Sequence, residues 1–175
     1  MGCRSIQLAQ LKGANVLTTV GSRNKADLCE RLGSRHAINY REQDFVSAVK
    51  NLTENHGADV ILDMVGGNYA KRNLEALALG GRLVHISSGG GSEFRVKLWD
   101  IMAKRAIITG SGLRVSELSL KREIVRQVKE KVWPHLGTEV TPIIDSVFPF
   151  LKAIDAHVRM ESSEHMGKIL LQINA

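Results

Sequence analysis

The chain has 175 residues, 43% of them apolar, which is enough for one domain with a sizeable core and ordinary for a globular fold. Its formal charge is +6, yet the basic residues between 95 and 131 alternate with Glu117, Glu123 and Glu130, and only two Trp and two Tyr are present, so nucleic acid is set aside as the primary partner in favour of a small anionic ligand. No run is long and apolar enough to span a bilayer, the opening residues lack the order of a secretory signal, and Cys3 and Cys29 have no metal-site spacing, which points to a reducing cytoplasmic setting without a membrane partner.

Residues 2–12 place Ile6, Leu8, Ala9 and Leu11 as in a buried helix, and Gly13 closes it. Residues 15–20 are almost without polar alternation, as in a parallel strand covered on both faces. Gly21-Ser22 leads to a helix over 24–32 closed by Gly33, and a brief strand over 36–38 runs into Asn39-Tyr40-Arg41. A helix over 44–53 turns Phe45, Val46 and Val49 inward, with Asp44 at its positive end. Residues 59–63 form the clearest strand. Gly66-Gly67-Asn68 then opens a helix over 69–77 with Asn68 as its cap, and Gly80-Gly81 precedes a strand over 82–86.

After the glycine-rich stretch 87–92, a short helix over 98–104 and a strand over 106–109 complete the alternation. The long helix over 118–133 sets Ile124, Val128 and Val132 on one face, and Pro134 and Gly137 break it. Alternation of this kind predicts an α/β fold, a parallel sheet with helices on both sides wound as in dinucleotide-binding domains. The tail differs: 142–147 is extended, 150–161 helical and 168–173 an alternating strand.

In such a fold a ligand lies across the carboxyl ends of the strands, so the loops there carry the chemistry. After the 15–20 strand, where an acidic residue would bind ribose hydroxyls, stand Gly21, Ser22, Arg23 and Lys25. A hydroxyl, two cations and a helix N-terminus favour a 2′-phosphate and hence NADPH, against the alternative of ordinary solvated charges. Tyr40 either lies against the adenine or, the plainer reading, caps the sheet as a partly buried tyrosine. Val65 and Gly66 allow close approach to the nicotinamide ribose, or serve a tight turn. Loops 87–92 and 110–114 line the nicotinamide or are surface loops. No histidine has the context of a catalytic group, no metal set is present, and Asp63 reads as a carboxylate that pairs locally.

Taken in order, Ile6-Gln7-Leu8-Ala9, Ile38-Asn39-Tyr40-Arg41-Glu42-Gln43-Asp44-Phe45, Ile61-Leu62-Asp63-Met64-Val65-Gly66-Gly67, Gly81-Arg82-Leu83-Val84, Thr109-Gly110-Ser111-Gly112-Leu113-Arg114 and Met166-Gly167-Lys168-Ile169 span nearly the whole chain. This set resembles the zinc-free quinone oxidoreductases of zeta-crystallin type, in the medium-chain dehydrogenase/reductase superfamily. The resemblance implies an NADPH-dependent reductase passing hydride to a quinone or another activated olefin, with no catalytic acid or base and no metal ligand in this chain. It also implies that Gly21, Ser22, Lys25 and Tyr40 meet the adenosine phosphate. The loops with Ser88 and Gly89 and with Leu113 and Arg114 approach the nicotinamide, and Gly2 is the last glycine of the pyrophosphate turn.

Compared with that family, Met1 replaces the residue before Gly2, and Arg4 stands where a small residue is usual. The expected fold is therefore a Rossmann-like doubly wound parallel sheet lacking its first strand, over residues 1–140. Residues 141–175 are expected to return to a GroES-like catalytic domain that this sequence does not contain. On this reading the piece alone is a weak catalyst, and it self-associates as a homo-oligomer. Two other readings stand beside it: a non-catalytic nucleotide-binding or assembly module, and an enoyl reductase of the same superfamily.

Overall fold

A computed structural model describes residues 2–173; Met1, and with it the expected substitution in the pyrophosphate turn, lies outside the described residues, as do Asn174 and Ala175. The chain forms two compact units, one of residues up to Ala37 together with those from Ile124 onward, the other Ile38–Glu123.

The first unit opens with α1 (Gly2–Gln10), whose Ile6 and Gln7 are buried, followed by β1 (Leu17–Val20) and α2 (Arg23–Arg31). β2 (His36–Asn39) runs on into the second unit and pairs with β1. The turn into β2 is tied down by buried Ser34, whose Oγ donates to the carbonyls of His36 at 2.8 Å and Val16 at 3.2 Å.

In the second unit α3 (Phe45–Leu52) forms as its pattern dictates, with Phe45, Val46 and Val49 buried. Asp44 caps it, accepting the Ser47 N–H at 2.8 Å, a bond that lowers the carboxyl's pKa, and it also pairs with Arg72 at 2.7 Å. β3 (Ala58–Asp63), α4 (Ala70–Ala76), β4 (Leu77–His85), α5 (Leu98–Lys104) and β5 (Ile107–Gly110) follow. The three strands form one parallel sheet in the order β3-β4-β5. Leu74, Leu77 and Leu83, all nearly fully buried, centre its core.

Two details between β3 and β4 differ from the sequence reading. Asn68 does not cap a helix: a 3-10 turn over Gly67–Tyr69 comes first, and α4 starts at Ala70 without a side-chain cap. Leu77 ends no helix either, because its backbone is already extended (φ −70°, ψ 142°) and it begins β4. Ala58 pairs with Leu77 but Val60 with Arg82, so β4 bulges through Leu79-Gly80-Gly81. Gly80, at φ +73°, supplies the left-handed residue that the bulge needs.

α6 (Leu118–Lys131) runs through the boundary between the units, and its expected apolar stripe is not buried: Ile124 and Val128 are 37% and 40% exposed. The remainder of the first unit is β6 (Ile144–Pro149), α7 (Ala153–Glu161) and β7 (Lys168–Gln172), with β6 and β7 paired in parallel. The fold is thus α/β with parallel sheets. The hydrogen-bonded strand groups are β1-β2, β3-β4-β5 and β6-β7.

The β6-α7-β7 segment is clasped by Asp145, whose buried carboxylate accepts Arg159 Nε and Nη2 at 3.1 Å each and the Met166 N–H at 2.8 Å. Arg159 foremost, then the Met166 N–H, holds this carboxyl far below the usual carboxylate range against the opposing effect of burial. A depressed folded-state pKa gives stability that is complete above the unfolded value, about 3.9, and is lost as pH falls below it. Asp145→Asn is expected to cost about 1–3 kcal/mol at neutral pH, because the guanidinium exchanges its buried carboxylate partner for a neutral amide and keeps only the exposed Glu164. It should also flatten the acid limb of the stability curve below about pH 4, as measured by urea unfolding across pH.

Candidate functional site

In the second unit the carboxyl ends of β3, β4 and β5 lie side by side, since Asp63 pairs in register with His85 and His85 with Gly110. Asp63 organises this edge. Its carboxylate accepts the Val65 N–H at 2.8 Å and the Gly66 N–H at 3.1 Å, and His85 Nδ1 lies 3.1 Å away. Asp63 is therefore the locally paired carboxylate that its position suggested, and its side chain is only 3% exposed. The Ile86 N–H donates to the Asp63 carbonyl at 2.8 Å, and the Ser111 N–H to the His85 carbonyl at 2.9 Å.

Val65 and Gly66 are brought against the loop carrying Ser88 and Gly89. The Gly90 N–H donates to the Val65 carbonyl at 2.6 Å. A Cβ on Gly66 would stand 3.2 Å from Ser88 Cα and 3.1 Å from the Gly91 carbonyl oxygen. Glycine lets two backbones meet here, and Gly66 itself is at φ +71°. Ser88 and Gly89 are exposed at the surface of this cradle. Leu113 and Arg114 lie in a 3-10 turn just past β5, with Leu113 54% exposed. Beside the paired loops runs an open groove of about 490 Å³, lined by Gly67, Asn68, Lys71 and Arg95 and by Gly90, Gly91 and Ser92 of the 87–92 loop, while Val65, Gly66, Ser88 and Gly89 are not among its lining residues. Tyr40, directly after β2, is 42% exposed.

The other predicted residues belong to the first unit. Gly21 and Ser22 form the turn from β1 into α2, with Ser22 in extended conformation at the N-cap and its side chain making no capping bond. That hydroxyl stands at the positive end of a nine-residue helix, uncommitted to it. The cations at this corner already have partners: Arg23 pairs with Asp27 at 2.9 Å, and Lys25 Nζ donates to the Ser163 carbonyl. Gly2 starts α1 in open space, where an added Cβ would meet nothing within 4 Å.

Sequence reasoning missed His85. Its Nδ1 faces Asp63, its ring meets Phe94 edge-on with centroids 5.1 Å apart, and its Nε2 is buried without a hydrogen-bond partner. The signal was faint: a histidine ending one strand pairs with a carboxylate ending the next only through parallel register. Among the described residues, no group of three or more His, Cys, Asp or Glu is placed to hold a metal ion, and no helix is long and apolar enough to cross a membrane.

A family model described as zinc-binding dehydrogenase matches residues 1–129. The chain belongs to that family. Quinone oxidoreductase from Rattus norvegicus is 31% identical over 98% of this chain and 51% of its own length. A phenolphthiocerol/phthiocerol polyketide synthase subunit from Mycobacterium tuberculosis is 29% identical over 99% of this chain and 8% of its own length. Among solved structures, the quinone oxidoreductase of Thermus thermophilus, also solved in complex with NADPH, superposes with a TM-score of 0.84 at 26% identity, covering 97% of this chain and 53% of its own. Escherichia coli quinone oxidoreductase complexed with NADPH gives 0.81 at 25% identity, covering 98% and 53%. The chain thus spans about half the length of the quinone oxidoreductases it matches.

The glycine cradle yields a direct test. A Cβ on Gly67, at φ +43°, would stand 2.6 Å from the Gly90 carbonyl oxygen. Gly67→Ala should therefore separate the two loops and cost roughly 1–3 kcal/mol, read as a lower melting temperature and faster exchange of the Gly90 amide.

Proposed function

We propose that this chain is the nucleotide-binding part of an NADPH-dependent reductase that transfers hydride to a quinone or another activated olefin without a metal. The reading rests above all on the corner after β1, where an uncommitted Ser22 hydroxyl heads α2 with Lys25 one turn along and no acidic side chain at Gly21 or Ser22. The donors there suit a phosphate on the adenosine ribose, and in the second unit, taken by itself, the glycine contact of Gly66 with Ser88 suits a close approach of backbone to a ribose. The NADPH complexes of the Thermus thermophilus and Escherichia coli proteins support the same assignment.

Bound nicotinamide supplies the hydride. The chain's own work is binding and orientation. Ser22 donates to the 2′-phosphate while Lys25 exchanges its bond to Ser163 for the anion, Gly21 leaves room, and Tyr40 lies beside the adenine. Gly2 lets the backbone at the start of α1 approach the pyrophosphate. Val65, Gly66, Ser88 and Gly89 flank the nicotinamide ribose, with Leu113 and Arg114 at the ring. No acid or base in this chain is assigned to the reaction. Residues 1–140 constitute the nucleotide domain, and 141–175 a segment that pairs with a GroES-like catalytic domain. The separate β6-β7 sheet, hydrogen-bonded to no other described strand, supports that division. Two free cysteines suit a cytoplasmic setting, and the working form is proposed to be a homo-oligomer.

A second reading, reduction of an enoyl thioester, is favoured by the match to a segment of a polyketide synthase. Turnover by the full-length protein against a panel of quinones and enoyl thioesters separates the two, and quinone turnover is expected to be the faster. For the cofactor, titration of the chain should give tighter binding of NADPH than of NADH. Ser22→Asp should weaken NADPH by roughly tenfold or more through charge repulsion while sparing NADH. Equal affinities for the two nucleotides would overturn the phosphate assignment.

A further inference from the structure

His85 touches both loops at the tips of the β3-β4-β5 sheet. Its Nδ1 lies 3.1 Å from Asp63 Oδ2, and the same carboxylate receives the Val65 and Gly66 N–H groups. A carboxylate oxygen only accepts, so the contact is favourable with the imidazole proton on Nδ1, the tautomer that the test below reads. On its other side the ring meets Phe94, which closes the loop whose Gly90 N–H donates to the Val65 carbonyl. The 65–67 turn and the 87–94 loop are thus fastened at two points, one through backbone and one through this imidazole.

We infer that His85 is a positioning residue for nucleotide binding: through Asp63 it sets the Val65–Gly66 turn, and through Phe94 it holds the glycine loop over that turn. The inference rests on the nucleotide reading above for its purpose, though not for its geometry. Without the imidazole the buried carboxylate keeps its backbone donors, the Val65 and Gly66 N–H groups, so the fold persists while the turn loosens. Asparagine at this position retains a donor near the place of Nδ1; leucine retains bulk alone.

The test uses the whole 175-residue chain, hydrogen exchange read residue by residue, ring ¹⁵N shifts and NADPH titration. In wild type the His85 proton should reside on Nδ1, and the Val65 and Gly66 amides should be protected. His85→Leu should speed exchange of those two amides and weaken NADPH, each by about tenfold, with His85→Asn restoring both. Phe94→Leu should instead release the Gly90 amide and leave Val65 and Gly66 protected. Wild-type exchange in folded His85→Leu overturns the inference, as does a proton resident on Nε2. If His85→Leu does not fold, Phe94→Leu with unchanged Gly90 exchange overturns it. Altered exchange with unaltered NADPH affinity removes the nucleotide role. Failure of wild type to bind NADPH at all instead sinks the proposed function, and the exchange results still judge the loops.

Discussion

One buried carboxylate governs the working edge of the second unit. Leaving Asp63 without donors at the end of a parallel strand would cost several kcal/mol, on the order of a buried unpaired charge. The chain answers by turning at once, so that the next residues present their N–H groups to it. That turn demands left-handed backbone at Gly66 and Gly67, and these glycines in turn admit the loop after β4 to van der Waals distance. The geometry of the proposed ribose-facing surface therefore follows from satisfying a charge, and the glycines serve that end.

The corner after β1 obeys a different logic. Its positive character comes from groups that are already engaged: Arg23 with Asp27, Lys25 with a carbonyl, and the helix end itself. A cation held by a neutral carbonyl keeps its charge available to an anion, because a carbonyl dipole neutralises nothing. The salt bridge of Arg23 does neutralise, which leaves Lys25 as the stronger attractor of the two.

Much of the architecture was legible because local patterns sufficed. The inward set Phe45, Val46 and Val49 and the place of Asp44 at the positive end of their helix follow from spacing alone, and α5 spans the residues its pattern marked. The stretch from Gly66 to Arg82 was misjudged because paired glycines read as punctuation, whereas here one pair makes a strained turn and the other lies inside a strand. The stripe on α6 was identified correctly as apolar, but periodicity names a face and does not say whether anything covers it. His85 escaped notice because its partner is distant in sequence and only strand register joins them. At the candidate site, loops could be named from their place after each strand, but which loops touch depends on backbone approach that composition does not encode.

The swelling of β4 opposite Ala58 and Val60 carries a consequence for tolerance to length change. Side chains alternate strictly along a strand, so a residue gained or lost within a regular ladder would invert everything after it. Between Leu77 and Arg82 the ladder is already interrupted, and Gly80 sits in open space. An insertion or deletion there is absorbed before pairing resumes, leaving Leu83 facing inward and His85 opposite Asp63.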